Sequence, residues 1–180
     1  MKRFVLFAAT AAAIVAVPAH AEDIKLFTPV TYEAGADVPD AVKDECRADY
    51  KLQEEVAAAL RSNGHNLLDT TDKLEGKVVR VTILKVHANP GAAFTGPKSI
   101  SARVELIDDG KLVGSTIVEG GAYSVPMLSF KSTCSILDKA TRKMAKRAAA
   151  WARNPHVPVV NGVDPDAEAP VEGAASAAAK

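Results

Sequence analysis

The run N-P-G-A-A-F-T-G-P-K-S, Asn89 to Ser99, comes within one residue of G-x-x-x-x-G-K-[ST], the loop whose backbone amides cradle nucleotide phosphates. Pro97 stands between Gly96 and Lys98, taking away an amide donor and fixing φ where the cradle has to form. The residues that follow, S-I-S-A-R-V-E-L, repeat with a period of two, so no helix N-terminus is offered to a phosphate. We therefore read the stretch as a long turn between two antiparallel strands, with Phe94 and Lys98 held out to solvent as candidate partner contacts. No cofactor is expected.

Cys46 and Cys134 are the other residues with evident chemistry. Each falls in an early turn of an expected helix, and two helices packed in parallel on one sheet face bring such turns together. Two cysteines in an exported chain read first as a disulfide. The competing reading makes Cys134 a nucleophile whose thiol pKa is lowered by a helix N-terminus, with His65 or His87 as base. That reading leaves Cys46 without a role. The histidines are scattered, with no H-x-H, H-E-x-x-H or C-x-x-C spacing, so no metal site is expected. No serine sits in G-x-S-x-G. No catalytic residue is assigned. An enzyme would have to assemble its site from tertiary neighbours such as His87, Asp69 and Arg103.

Two further stretches point toward binding. Lys139, Arg142, Lys143 and Lys146, with Arg153, lie on an arc opposite the apolar stripe of the last expected helix. Such an arc is either a solvated helix face or a docking surface for an acidic protein or an anionic lipid surface. Gly120 to Ser132 carries Tyr123, Val125, Met127, Leu128 and Phe130, dense in apolar side chains for a connection. It either caps the sheet or forms an exposed contact surface with Tyr123 in it.

The ends of the chain suggest where these surfaces would meet a partner. Met1-Lys2-Arg3, an apolar run from Phe4 to Val17 and an Ala-x-Ala exit at Ala19 to Ala21 are the three parts of a cleavable signal peptide, residues 1–21. About 14 apolar residues fall short of the roughly 20 that span a bilayer. No cysteine near the cleavage point is available for lipidation. The expectation is a soluble, non-membrane-spanning protein of the periplasm. Removing Lys2 and Arg3 leaves 20 basic against 22 acidic residues, which gives no electrostatic reason to expect nucleic-acid binding. Residues 154–180, rich in Pro, Ala and acids, read as a disordered tail, leaving residues 22–153 as a single domain.

The elements that must position these residues follow from periodicity. Asp23 to Val30 reads as a strand. The acidic piece Glu33 to Asp40 leads into a helix from about Pro39 to Ser62, with Val42, Cys46, Leu52, Val56, Ala59 and Leu60 on one face. His65 to Asp69 reads as a short strand. Lys77 to His87 and Ile100 to Leu106 alternate as strands. Asp109-Gly110 is a two-residue hairpin turn, which places Leu106 opposite Val113, Val104 opposite Ser115 and Ala102 opposite Ile117. Ser132 or Thr133 caps a last helix to about Arg153. The result is an α+β fold, β-α-β-β-β-β-α, with an antiparallel sheet, two helices on one face and one disulfide.

A Gly-containing loop before I-S-A-R-V-E-L, a D-G hairpin and a closing K-A-T-R-K-M-A-K-R-A-A-A-W helix give this chain its likeness to known proteins. It resembles the small envelope accessory domains related to the TolB N-terminal domain and to ABC-transport auxiliary lipoproteins. The resemblance implies a domain that binds and positions other envelope components rather than a catalyst. A small periplasmic enzyme, or a secreted inhibitor that probes with the Asn89–Ser99 loop, are the alternatives. The sequence names no ligand, pathway or oligomeric state.

Overall fold

The computed structural model describes residues 23–89, 96–123 and 132–156. The expected signal peptide, Phe94 and all of the expected tail beyond His156 lie outside these residues. In chain order the elements are β1 (Asp23–Phe27), β2 (Thr31–Asp37), a π-helical turn (Val42–Cys46), α1 (Ala48–Ser62), β3 (Asn66–Thr71), β4 (Lys77–His87), β5 (Lys98–Asp108), β6 (Lys111–Ala122) and α2 (Thr133–Arg153). The strands form one mixed sheet in the order β3-β1-β4-β5-β6, and β2 succeeds β1 along the same edge of β4. Both helices cover one face, and a disulfide joins Cys46 to Cys134, as the α+β reading requires.

The sheet is antiparallel only across β4, β5 and β6. β1 runs parallel to β3 and β4, and β2 runs parallel to β4. The reason lies in the connection: a helix between two strands returns the chain to the end from which it started, so the strands it joins run the same way. The expected acidic lead-in also contains a strand, since T-Y-E-A-G-A-D forms β2 up to Asp37. Gly35, at φ +79°, falls within the register irregularity between Tyr32 and Asp37.

The core lies between this sheet and the helices. β1 contributes Ile24 and Leu26, β4 contributes Val79, Val81 and Ile83, and β5 contributes Ile100, Ala102, Val104 and Leu106. Facing them are Leu52, Val56 and Leu60 of α1 and Ile136, Leu137 and Met144 of α2. Burying each of the larger side chains contributes about 1.5–3 kcal/mol. α2 begins where the Ser132 hydroxyl accepts from the Ser135 amide at 3.2 Å, the cap its sequence announces.

The first helix is interrupted. Arg47 sits in the left-handed region, φ 47°, between the π-helical turn and α1. In one uninterrupted helix Cys46 and Ala48 would face nearly opposite sides, because each residue turns by about 100°. The left-handed residue resets the phase, so that both Cys46 and Ala48 are buried.

The hairpin keeps the expected turn and changes its register. Asp109 and Gly110, at φ 45° and 77°, form the two-residue turn, with Asp108 opposite Lys111 and Ile107 opposite Leu112. A bulge between Leu106 and Ile107 then places Leu106 opposite Gly114, Val104 opposite Thr116 and Ala102 opposite Val118. A slip of one residue sends every side chain of a strand to the other face. The cause is steric. A Cβ on Gly120 would lie 2.0 Å from the Ala140 carbonyl oxygen, and one on Gly114 would lie 3.3 Å from the Trp151 ring. The face bearing Gly114 and Gly120 therefore turns inward against α2, and Val113 and Ile117 are left outside.

Candidate functional site

The helices leave the other face of the sheet uncovered, and alternation along β4, β5 and β6 decides what it carries; at one end of it the paired Val78 and Ile107 are buried. Its centre is polar and internally paired. Arg80 Nε lies 2.7 Å from Glu105 Oε2 across the β4-β5 pair, and Arg103 Nη1 on β5 lies 2.6 Å from Glu33 Oε1 on β2. Lys85 Nζ meets Asp37 Oδ2 at 2.9 Å. Partly exposed pairs of this kind stabilise by about 0–1 kcal/mol each. Their larger consequence is that the middle of the face presents little unbalanced charge.

The flank of this face is different. β6 turns Val113, Ser115, Ile117, Glu119 and Gly121 outward, and Tyr123 continues the alternation just beyond the strand. Val113 is 44% exposed, Ile117 48% and Tyr123 76%, with Leu112 beside them at 58%. A Cβ on Gly121 would meet nothing within 4 Å, so the surface there is open. One strand thus concentrates exposed apolar side chains beside a charge-balanced face.

Of the residues singled out from sequence, Tyr123 is exposed, and Phe94 lies outside the described residues. Lys98 is a correction. Its side chain is buried, and its ammonium donates to the Asn89 carbonyl oxygen at 2.7 Å, so it closes the base of the loop instead of reaching into solvent. Lys98 is the first residue of β5, and its place opposite Ala122 turns it onto the helix-covered face with Ile100 and Ala102. Burial lowers its pKa from the ordinary lysine value. Lys98→Ala is expected to lower stability by about 2 kcal/mol, through the cavity and the carbonyl left unpaired, as read by thermal unfolding. An unchanged melting temperature would contradict the buried placement.

The basic arc of α2 is partly occupied in holding the fold together. Arg142 Nε lies 3.4 Å from Glu55 Oε1 of α1, and Arg147 donates to the Glu119 carbonyl of β6. Lys139, Lys143 and Lys146 each have an interaction partner as well. The connection from Gly120 is described as far as Tyr123, with Gly120 and Ala122 buried and Gly121 and Tyr123 exposed.

The residues weighed for catalysis are kept apart. Asp69 belongs to β3, which β1 and β4 separate from β5 and its Arg103. His87 is exposed at the far end of β4, opposite Ser99. Among the described residues no cluster of three His, Cys, Asp or Glu side chains could hold a metal ion, and no helix is long and apolar enough to cross a membrane. Sequence reasoning missed two buried polar atoms that lack a hydrogen-bond partner, the Tyr32 hydroxyl and His65 Nε2. Burial, and then the nearby Asp49 carboxylate, raise the Tyr32 pKa. Sequence reasoning also missed the outward placement of Val113 and Ile117. The available signal was Gly114 and Gly120, six apart and hence on one face of a strand.

These features define a two-layer α+β domain with a mixed sheet, one helix-covered face and one open face. No family model matches the sequence, and no curated protein matches it. Solved structures to which the chain is similar include the PelC dodecamer from Paraburkholderia phytofirmans, at 15% identity, covering 76% of this chain and 93% of that one with a TM-score of 0.48. Protein XCC0632 from Xanthomonas campestris, of the DUF330 family, is 11% identical over 75% of this chain and 87% of its own, with a TM-score of 0.48. A minor lipoprotein from Acinetobacter baumannii is 10% identical over 77% and 98%, with a TM-score of 0.45. These are similarities of backbone arrangement.

Proposed function

We propose that the chain is an exported, non-enzymatic accessory protein of the cell envelope that works by binding another envelope protein, with the outward stripe of β6 as its contact surface. The observation that carries this reading is the exposure of Leu112, Val113 and Ile117 on β6 together with Tyr123 just past its end. Apolar side chains gathered on an exposed surface mark partner contacts more often than isolated ones do. Tyr123 suits such a role, because an aromatic ring buries a large area and its hydroxyl keeps a polar partner. The sequence resemblance to envelope accessory domains and the disulfide support the same reading, since disulfides persist in oxidising compartments.

The test is a double variant, Ile117→Glu with Tyr123→Ala, in a strain that makes the tagged protein at its native level. Both sites are exposed, so stability should stay within about 0.5 kcal/mol of the parent. Crosslinking in intact cells should then lose the partner band that the parent chain gives. An unchanged band with a folded variant would remove the stripe from consideration.

A further inference from the structure

His65 stands at the corner where α1 ends, β3 begins and α2 passes overhead. The corner is a fully formed Schellman turn. The Gly64 amide donates to the Arg61 carbonyl at 3.2 Å, the His65 amide donates to the Leu60 carbonyl at 3.1 Å, and Gly64 takes φ +80°. The residue after the left-handed glycine in this motif normally packs an apolar side chain against the helix it closes. Here that place holds an imidazole, only 6% exposed. The Ala149 backbone of α2 lies against its ring, and Nε2 has no hydrogen-bond partner.

The charges around it do not favour a cation. Arg153 of α2 faces the ring, and its guanidinium also reaches over Gly64, where a Cβ would lie 3.3 Å away. The last turn of α1 contributes Arg61, which is exposed. Beyond α2 stands the exposed His156. From β3 and β1 come Asn66 and the Asp23 carboxylate, which already accepts from the Asn66 amide at 2.8 Å.

We propose that His65 is an acid-sensitive latch: as the neutral imidazole it closes the corner between α1, β3 and the C-terminal end of α2, and proton uptake releases that corner. A proton on the ring would make both nitrogens donors, leaving the buried Nε2–H without an acceptor and a positive charge beside Arg153. The direction follows from the same surroundings. Burial is the largest effect and holds the folded-state pKa below the ordinary 6.5 against the opposing Ala149 backbone, with Arg153 adding a smaller push in the same direction as burial. The open corner therefore binds a proton before the closed one does. The latch is fully effective above about pH 6.5 and weakens as pH falls from there toward the folded-state value.

The experiment measures amide hydrogen exchange across residues 60–66 and 145–153 of the purified full chain between pH 7.5 and 5.0, corrected for intrinsic exchange rates. One proton taken up on opening raises the opening constant by up to tenfold per pH unit below about 6.5. Arg153→Gln should shallow this dependence, and His65→Leu should abolish it at that corner. Persistence of the full dependence in His65→Leu would overturn the proposal. Should His65→Leu not fold, the His65 ring resonances of the parent chain decide the matter. Titration below pH 6.5, in step with corner exchange, upholds the latch, whereas titration at pH 6.5 without corner opening refutes it.

Discussion

Gly120→Ala is expected to cost about 3 kcal/mol or more, a large share of the roughly 5–15 kcal/mol that holds a domain of this size together. The added Cβ would fall 2.0 Å from the Ala140 carbonyl oxygen, 2.7 Å from Met144 Cβ and 2.8 Å from the Met144 amide nitrogen. Two of these three are backbone atoms of a helix whose other contacts, through Ile136, Leu137 and Ala148, are fully buried. No rotamer change relieves the clash, so either α2 lifts from the sheet or β6 bends away from β5. The adjacent Gly121→Ala is the control, because its Cβ meets nothing within 4 Å and the expected change is within about 0.5 kcal/mol. Urea midpoints of the two variants should differ clearly. Equal midpoints would mean that α2 does not approach β6 this closely.

The second large effect belongs to the disulfide. It joins positions 88 apart, with Cα atoms 5.1 Å from each other, and so ties the π-helical turn before α1 to the first turn of α2. Closing a loop of that length removes about 4–5 kcal/mol of chain entropy from the unfolded state, and the measured loss of natural bridges runs at about 2–5 kcal/mol. Replacing both cysteines by alanine should lower the urea midpoint by a corresponding amount. Reductant should lower the parent's midpoint and leave the double variant unmoved. A double variant as stable as the parent would show that packing of Val42 and Cys46 against the core already holds this corner.

Some of this could be read from the amino acids alone, and the reasons are local. Ser132 through Arg153 is legible as α2 because its cap, its apolar stripe and its basic last turn agree. The disulfide is legible because both cysteines fall in early helical turns. The Asp109-Gly110 turn is legible because left-handed backbone suits those two residues. The bulge after it is not, since Val113 and Ile117 look like core residues until α2 claims the glycine face. Arg47 carries no sign of its left-handed conformation, which is set by the two segments it separates. Lys98, a lysine beside Gly and Pro, reads as loop surface, whereas its register opposite Ala122 turns it inward. The β6 stripe and the His65 corner depend on contacts between elements distant in sequence, which periodicity within one element does not reveal.

The place of β1 between β3 and β4 bears on how the chain acquires its shape during synthesis. β1 emerges before the other strands, yet its partners at Asn66–Thr71 and at Val78 and Val79 follow much later, and the second half of the disulfide later still. The β4-β5-β6 meander pairs sequence neighbours and can form as soon as it appears, whereas the parallel half must wait for chain ends to find each other. A newly made chain is thus expected to carry Ile24 and Leu26 uncovered until the meander is complete. The interval before that strand is inserted is when a chaperone would have most to hold.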